Sequence, residues 1–330
     1  MRVLILLLML LTLQALAEDV ALPEPIPEKQ NKVEEIFEKF EEAFRIQAVL
    51  EVPEYSLYLG GPAIQGVAYV PSFGPRLGPR IFYKGVGLKF TFPLPMAEVE
   101  KNRRGIPDQT DIILNTYWRQ NALDLYYLRN RGFYIASPWQ EFSVHKPERY
   151  PQVPDAVATS FGFNWYYVFH PEVYSLKAAF DQNEFQKVSG GSWLVSPFYN
   201  HLELNLGTKF VRGIGDDNVT SLPELSSGRF ETVGASFGYG HSYISGRFFA
   251  SALGMIGPGV EYQNIGRTTD GDVKNVSLAV KINFNASMGF NLKGYVMGLQ
   301  ALLDSISANV SGTEIASNTV SGQCFVGARF

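Results

Sequence analysis

The stretch NVSLAVKINFNA, residues 275–286, decides the fold of this chain. Every second residue from Val276 to Ala286 is apolar, and the residues between them are Ser, Ala, Lys or Asn. This period of two predicts a β-strand. The strand is longer than the five or six residues of a typical globular strand, and it matches the nine to eleven that a membrane strand needs. GVGLKFTF (85–92) and TSFGFNWYYVF (159–169) repeat the pattern.

The two faces of these strands differ in composition, which indicates the solvent on each side. One face carries Phe, Val, Leu, Ile and Trp, and the other carries Gly, Ser, Asn and Thr. A soluble sandwich alternates similarly, but it rarely has so many long strands with such uneven connections. Only a closed barrel can cross a bilayer as β-structure, because no edge is left unpaired. Short and long connections also alternate, as in outer-membrane barrels, with turns at 118–121, 245–247 and 291–293 and loops at 93–109, 136–157, 205–228 and 305–317.

We therefore predict an all-β chain whose residues 54–330 form a transmembrane up-and-down antiparallel β-barrel. Counting back from Phe330 gives ten strands, the first of them near 79–92. The stretch YSLYLGGPAIQGVAYV (55–70) supplies two more, at 54–60 and 63–70. Because bacterial single-chain barrels have even strand numbers, about twelve strands are expected, with ten as the alternative. Side chains should largely fill the interior of so small a barrel.

The region before the barrel has three predicted parts. Residues 1–17 are typical of a secretory signal peptide cleaved after Ala17, and 18–30 form a Pro-rich spacer. Apolar residues recur at helical spacing over 31–48, which predicts a periplasmic amphipathic helix. That helix would pack on this protein or on a second copy, so a homo-oligomer is possible. The net charge of −4 gives no reason to expect nucleic acid.

The last strand of the sequence has its own pattern. Cys324, Val326, Ala328 and Phe330 share one parity, and the final residue is a large aromatic. The pattern resembles the sorting signal that the barrel assembly machinery reads in outer-membrane proteins. It predicts a bacterial outer-membrane location, with outer-membrane lipids and that machinery as partners.

Polar side chains of the opposite parity should face the lumen. Charges inside a narrow lumen must be paired and hydrogen-bonded, because isolated buried ions are costly. The network serves either to keep the barrel rigid or to select small polar solutes. The predicted members are Lys89, Arg119, Asp124, Asn164, Lys281, Asn283, Gln300 and Gln323.

The sequence carries little sign of catalysis. Ser192 or Ser196 could be combined with His201 and Asn200 as a hydrolytic constellation, yet no motif singles them out. No metal or cofactor motif is present either. A structural or narrow-pore barrel is therefore the expected function. Two alternatives stay open: a lipid-acting hydrolase, and a surface receptor or adhesin that works through the loop at 136–157.

Several stretches resemble a Gram-negative family catalogued as domain of unknown function number 4421. They are YKGVGLKFTFPLP (83–95), NALDLYYLRNRGFYI (121–135), AAFDQNEFQKVSGGSW (178–193) and the ending FVGARF. The run from Gln186 to Ser192 is the most specific part. The resemblance implies a secreted, all-β, outer-membrane barrel over residues 54–330, and it brings no activity with it.

Overall fold

A computed structural model gives the fold of the chain. It describes residues 36–40, 44–61, 64–72, 74–83, 86–106, 108–136, 147–205, 210–214, 219–222, 225–267, 273–292, 294–310 and 313–330. The predicted signal peptide, its cleavage after Ala17 and the spacer at 18–30 lie outside these residues. Within the described ranges, no helix has the length and apolar character needed to cross a membrane.

Strands make up nearly all of the described structure. Two helices lie wholly within the described residues, α1 (Glu98–Arg104) and a single-turn π-helix (Lys177–Asp181). The strands are β1 (Phe37–Lys39), β2 (Arg45–Gly61), β3 (Ile64–Pro71), β4 (Arg76–Tyr83), β5 (Val86–Lys89), β6 (Phe92–Pro93), β7 (Asp108–Tyr117), β8 (Asn121–Ala136), β9 (Gln152–Val168), β10 (Glu184–Gln186), β11 (Gly190–Asn205), β12 (Phe210–Ile214), β13 (Val219–Leu222), β14 (Leu225–Ser245), β15 (Phe248–Arg267), β16 (Val273–Asn291), β17 (Tyr295–Val310) and β18 (Thr313–Arg329).

One antiparallel sheet closes on itself. Going round it, the strand order is β2, β18, β17, β16, β15, β14, β11, β9, β8, β7, β5, β4 and back to β2, which is a ring of twelve. β2 pairs with β18 from Arg45↔Arg329 to Gly60↔Glu314. The first and last barrel strands therefore complete the cylinder, and no long edge is left open.

The two faces of the barrel differ sharply in exposure. On β16, Lys281 and Asn283 are 2% and 4% exposed, whereas Ile282 and Phe284 are 44% and 45% exposed. Exposed apolar side chains continue along the outer face of β16 with Met288 and Phe290, and they cover other strands as well, among them Phe161, Trp165, Trp193, Val233, Phe237, Ile256 and Val260. An apolar surface of this extent is unstable in water and suits lipid. The prediction of an all-β transmembrane up-and-down barrel of about twelve strands is confirmed.

The barrel has two distinct ends. The near rim is the end where β2 begins and β18 finishes, and its connections include tight turns at 118–120 and 246–247. Gly246 has a φ of 59°, a left-handed conformation that glycine adopts without strain.

The opposite end, the far rim, carries the connections at 94–107, 137–151 and 206–224 and the short one between Val310 and Thr313. The prediction of a long loop at 305–317 is therefore wrong, because β17 and β18 cover most of that stretch. The near rim also has one long connection, between β9 and β11. The predicted loop at 93–109 holds α1, and the one at 205–228 holds the β12–β13 hairpin.

The loop predicted at 136–157 is shorter than expected. Ala136 still belongs to β8, and β9 begins at Gln152. Residues 137–146 lie outside the described residues. Tyr150 is buried, with its ring 4.8 Å from that of Tyr134, so part of this connection packs on the barrel.

The helix predicted over 31–48 is corrected from Phe37 onward, and of its described residues only Ile36 is helical. Phe37–Lys39 is strand β1, and barrel strand β2 begins at Arg45, nine residues before the predicted start of the barrel at 54. From Arg45 to Val52 the side chains alternate between buried and exposed. A short stretch can fit both periods, and pairing with β18 and β4 decides for the strand. The predicted oligomer through this helix stays a prediction.

The strand predicted near 79–92 is two strands. β4 and β5 run antiparallel there, while β3 leaves the ring and pairs with β2 and β8 toward the far rim. On this side β2 pairs with β4 up to Glu51 and with β3 from Leu57. We call the stretch 52–56, which lies between these two pairings, the seam. β8 also changes partner, from β7 to β3, at Gly132. This glycine has a φ of 81°, and it forms a bulge in the pairing of β8 with β9.

Candidate functional site

The charged cluster below the seam fills the lumen between β2, β4 and β7. Lys89 Nζ donates to Glu51 Oε2 at 2.5 Å, and the Thr91 hydroxyl donates to the other carboxylate oxygen at 2.7 Å. Arg76 Nη2 donates to Asp111 Oδ1 at 2.8 Å and Nε donates to Thr91 Oγ1 at 3.0 Å. Two cations and two acids thus neutralise one another where the strand pairing of the wall changes.

A second cluster lies deeper in the lumen, between β4, β7 and β8. Asn115 Nδ2 donates to Asp124 Oδ1 at 2.6 Å, and Arg80 Nη2 donates to Asn115 Oδ1 at 3.2 Å. Asn115 therefore links the acid to the cation. The Arg80 guanidinium also lies 4.7 Å from the centroid of the Phe82 ring, which holds it against the wall.

The opposite wall, β16 and β17, contributes a third cluster. Lys281 Nζ donates to Asp304 Oδ1 at 3.0 Å, and Asn283 Nδ2 donates to Asp304 Oδ2 at 3.0 Å. Beside it, Gln300 Nε2 donates to Asn285 Oδ1 at 3.1 Å, and Gln323 Nε2 donates to Gln300 Oε1. The amides form a ladder across three neighbouring strands.

These clusters surround a cavity of about 160 Å³, which we call the chamber. Lys89, Asp124, Asn164, Asn283, Gln300 and Gln323, all predicted lumen residues, line it. The tyrosines Tyr55, Tyr117, Tyr126 and Tyr166 add flat ring surfaces. Toward the far rim the lumen is packed by an apolar cluster of Tyr55, Leu57, Leu59, Tyr69, Phe133, Ile135, Ala156, Ala158, Leu202, Leu204, Phe230, Ile265 and Ile315.

Two predicted lumen residues lie away from the chamber lining. Lys281 stands behind Asp304, with its ammonium 5.0 Å from the Phe198 ring centroid. Arg119 sits at the near rim, where Nη1 donates to Glu184 Oε1 at 3.2 Å. Arg119 therefore belongs to a different feature, the plug described next.

The near end of the lumen is filled by the connection between β9 and β11, residues 170–189, which we call the plug. Tyr174, Leu176, Ala179 and Phe180 of the plug are buried against inward side chains of the wall, including Leu253 and Met255. Gly240 leaves room for Tyr174, because a Cβ there would lie 2.4 Å from the Tyr174 hydroxyl. Side-chain packing therefore closes the lumen at this rim.

Polar contacts fix the plug to the barrel wall. Arg45 Nη2 donates to Asp181 Oδ1 at 2.9 Å, with both side chains 0% exposed. Burial raises the pKa of the Asp181 carboxyl, while the positive charge of Arg45 acts in the opposite direction. Arg329 Nη2 donates to the Gln182 carbonyl at 2.7 Å, and Ser287 Oγ donates to the Ala179 carbonyl at 2.5 Å.

The N-terminal strand is also attached to the plug. β1 pairs with β10, from Phe37↔Gln186 to Lys39↔Glu184. The Arg119 guanidinium covers the Phe37 ring at 4.2 Å, and Arg247 Nη1 donates to Glu38 Oε2 at 2.9 Å. The chain before the barrel thus contacts both the plug and the near rim.

Sequence reasoning treated the plug as an ordinary connection. The signal that could have revealed the plug is the run from Tyr174 to Phe180, which contains more apolar residues than a solvent-exposed turn usually has. It also overlaps AAFDQNEFQKVSGGSW, the stretch that carries the most specific family resemblance.

The residues considered for hydrolysis do not form a constellation. Ser192 and Ser196 lie on the buried face of β11, whereas His201 stacks on the exposed Phe161 at 4.4 Å. Ser192 and His201 are nine residues apart on one strand, which corresponds to about 30 Å. His145 lies outside the described residues, and within them no cluster of three or more His, Cys, Asp or Glu side chains could hold a metal ion.

The residues of the predicted C-terminal signal lie on the outer face of β18. Val326 and Phe330 are 53% and 76% exposed, and Cys324 is also exposed. Ala328 is partly buried. These positions lie on the same outer face as the exposed apolar side chains of the other strands, which we call the apolar belt. Their recognition by an assembly machinery stays a prediction.

A closed transmembrane barrel with a polar chamber and an inward plug is therefore the class of protein that these features define. The family model described as "Domain of unknown function (DUF4421)" matches residues 40–330. The chain belongs to this family. The match begins further toward the N-terminus than the resemblance at 54–330 suggested. No curated protein sequence matches the chain.

Solved structures with a similar fold include three bacterial membrane proteins. The outer membrane protease OmpT from Escherichia coli is 8% identical, with a TM-score of 0.40 and 87% of this chain and 97% of that chain covered. The translocator domain of autotransporter NalP from Neisseria meningitidis is 8% identical (TM-score 0.32; 87% and 88%). The toluene transporter TodX from P. putida is 8% identical (TM-score 0.26; 88% and 90%). At these identities nothing about function is transferred.

Proposed function

We propose that this protein is a bacterial outer-membrane barrel of the narrow-pore type, closed at its periplasmic end by the plug. The observation that carries the proposal is the division of the lumen into a polar chamber and a separate plug. Inward side chains fill an eight-stranded barrel, but twelve strands enclose more space. In this barrel a folded connection closes that space, and a connection can move without breaking the wall.

The orientation follows from the connections. Outer-membrane barrels have short turns on the periplasmic side and longer loops outside. The near rim, with its tight turns and the plug, is then periplasmic, and α1 and the β12–β13 hairpin face outward. Lipids contact the apolar belt, and the barrel assembly machinery reads the outer face of β18, including Val326 and Phe330. Export by a signal peptide ending at Ala17 belongs to the same proposal.

The plug acts as the gate. Its ties to the wall are a few discrete polar contacts, with Arg45, Arg329 and Ser287 on the barrel side. Its pairing with β1 gives the periplasmic N-terminal segment a direct connection to it. Displacement of the plug exposes the chamber to the periplasm and leaves the far-end apolar cluster as the second barrier.

Planar-bilayer recording tests the gate. In the plug variant, a short Gly-Ser turn replaces Ser175–Lys187. In the control variant, the same turn replaces a segment of equal length at the far rim, Phe210–Leu222. Wild type and control should give no steady current, whereas the plug variant should give salt-dependent steps. Heat-modifiable migration on SDS gels establishes that each variant is folded.

The outcome separates a pore from a purely structural barrel. A folded plug variant that stays silent would mean that the lumen is blocked without the plug, and the structural role would stand instead. A wild-type protein that conducts steadily would also contradict the proposed closure.

A further inference from the structure

We propose that the chamber is a binding site for a small, neutral, polyhydroxylated molecule about the size of one pyranose ring. The inference deepens the proposed function, because it names the class of solute that the closed barrel holds. It rests on the size of the chamber, on the pairing of its charges and on four buried polar atoms.

The size of the chamber limits the ligand to about one ring. The chamber has a volume of about 160 Å³. A cavity of about 150 Å³ accommodates a single benzene molecule. Disaccharides and longer chains are therefore too large, and a single six-membered ring or a short polyol fits.

The buried and partly buried charges around the chamber cancel. Four cationic side chains and four buried or partly buried acids lie in the chamber lining or directly beside it, namely Arg76, Arg80, Lys89, Lys281, Glu51, Asp111, Asp124 and Asp304. A fifth acid, Glu54, also lines the chamber, but it is exposed. Glu51, Asp111 and Asp304 each lie within 3.0 Å of a cation. Asp124 is linked to Arg80 through Asn115. An ionic ligand would have to compete with these existing contacts for a counter-charge that offsets the loss of its hydration.

The hydrogen-bonding capacity that remains is on neutral acceptors and one donor. Among the described residues that line the chamber, Asn130 Oδ1, Asn164 Oδ1, Asn283 Oδ1 and Arg80 Nε have no hydrogen-bond partner. The four residues are 2%, 6%, 4% and 6% exposed, and all four line the chamber. Buried polar atoms need partners.

Hydroxyl groups match this set, because each one can donate and accept. Three hydroxyls donating to the Asn130, Asn164 and Asn283 oxygens, and one accepting from Arg80 Nε, would satisfy all four atoms. The aromatic side chains of Tyr126 and Tyr166, which also line the chamber, offer apolar carbon atoms to the C–H groups of such a molecule. A neutral polyol combines both properties, whereas an apolar ligand would leave the polar atoms unpaired.

Saturation-transfer NMR on the full-length protein, refolded in detergent, tests the site with D-glucose as the probe. D-glucosamine and D-glucuronate serve as cationic and anionic analogues of matched size. We expect saturable binding of glucose and at least tenfold weaker binding of both charged analogues. Asn164→Leu and Asn283→Ala should each weaken glucose binding at least tenfold. Asn318→Leu, outside the chamber lining, should leave it unchanged.

The result can overturn the inference independently of the gate. Absence of saturable glucose binding by folded wild type, or equal binding by the Asn164 and Asn283 variants, refutes the site even if the plug variant conducts. Binding of a charged analogue as tight as that of glucose refutes the neutral class. Binding with no current through the plug variant keeps the site and refutes the gate.

Discussion

Removing the Asp181 carboxylate should open the barrel. In the closed state Asp181 Oδ1 lies 2.9 Å from Arg45 Nη2, and neither side chain is exposed. Asp181→Leu leaves the Arg45 guanidinium buried without its counter-charge, near a second cation at Arg80. Breaking one side of a buried pair typically costs about 3–5 kcal/mol.

The barrel can relieve this cost by releasing the plug, because water then reaches Arg45. At about 1.4 kcal/mol per tenfold change, the open-to-closed ratio should rise roughly a hundredfold to a few thousandfold. Single-channel open probability measures this ratio, and urea unfolding reports any loss of stability in the same variant. Arg45→Met with Asp181→Leu removes both charges, and replacing a buried pair by apolar side chains is often neutral.

The double variant should therefore be as silent as wild type. The reasoning is refuted if Asp181→Leu folds, keeps wild-type stability and never opens, since the pair then contributes nothing to closure. It is also refuted if the double variant opens as often as the single one, because the buried charge is then not the cause.

Three further predictions concern the wall. Lys281→Met should lower the free energy of unfolding by about 1–3 kcal/mol in urea titrations, because it leaves Asp304 in the lumen without its ion pair. The control Lys274→Met, at an exposed position, should change that free energy by less than about 0.5 kcal/mol. Gly132→Val should cost about 1–2 kcal/mol at a φ of 81°, whereas Gly322→Val, where nothing lies within 4 Å, should be tolerated; equal effects in thermal unfolding would contradict the role of the bulge. His201→Ala should leave fatty-acid release from phospholipid vesicles at the same background as wild type, and an activity that this change abolishes would revive the hydrolase.

The sequence predicted the barrel wall well because a strand facing lipid on one side and a lumen on the other must alternate. Val276 to Ala286 follows that rule residue by residue, and the same alternation placed Lys89, Asp124 and Gln300 in the lumen. The physical constraint is local, so the pattern is readable without knowing any partner strand.

The parts that failed depend on non-local contacts. The stretch from Phe37 to Ala48 fits a helical period, but its pairing with β10, β18 and β4 exists only in the closed barrel. The division at 79–92 depends on β3 crossing to β8. The plug obeys no period at all, because it fills a volume that only the ring of strands defines.

One measurement tests the seating of the plug directly: oxidation of the Ala179→Cys, Ser287→Cys pair in outer-membrane vesicles, in a Cys324→Ala background. The Ser287 hydroxyl contacts the Ala179 carbonyl at 2.5 Å, so the two positions are neighbours in the closed state. The account predicts an intramolecular cross-link in most molecules, and no conductance from the cross-linked protein. Failure of the cross-link to form, together with steady conductance of the unmodified protein, would contradict it.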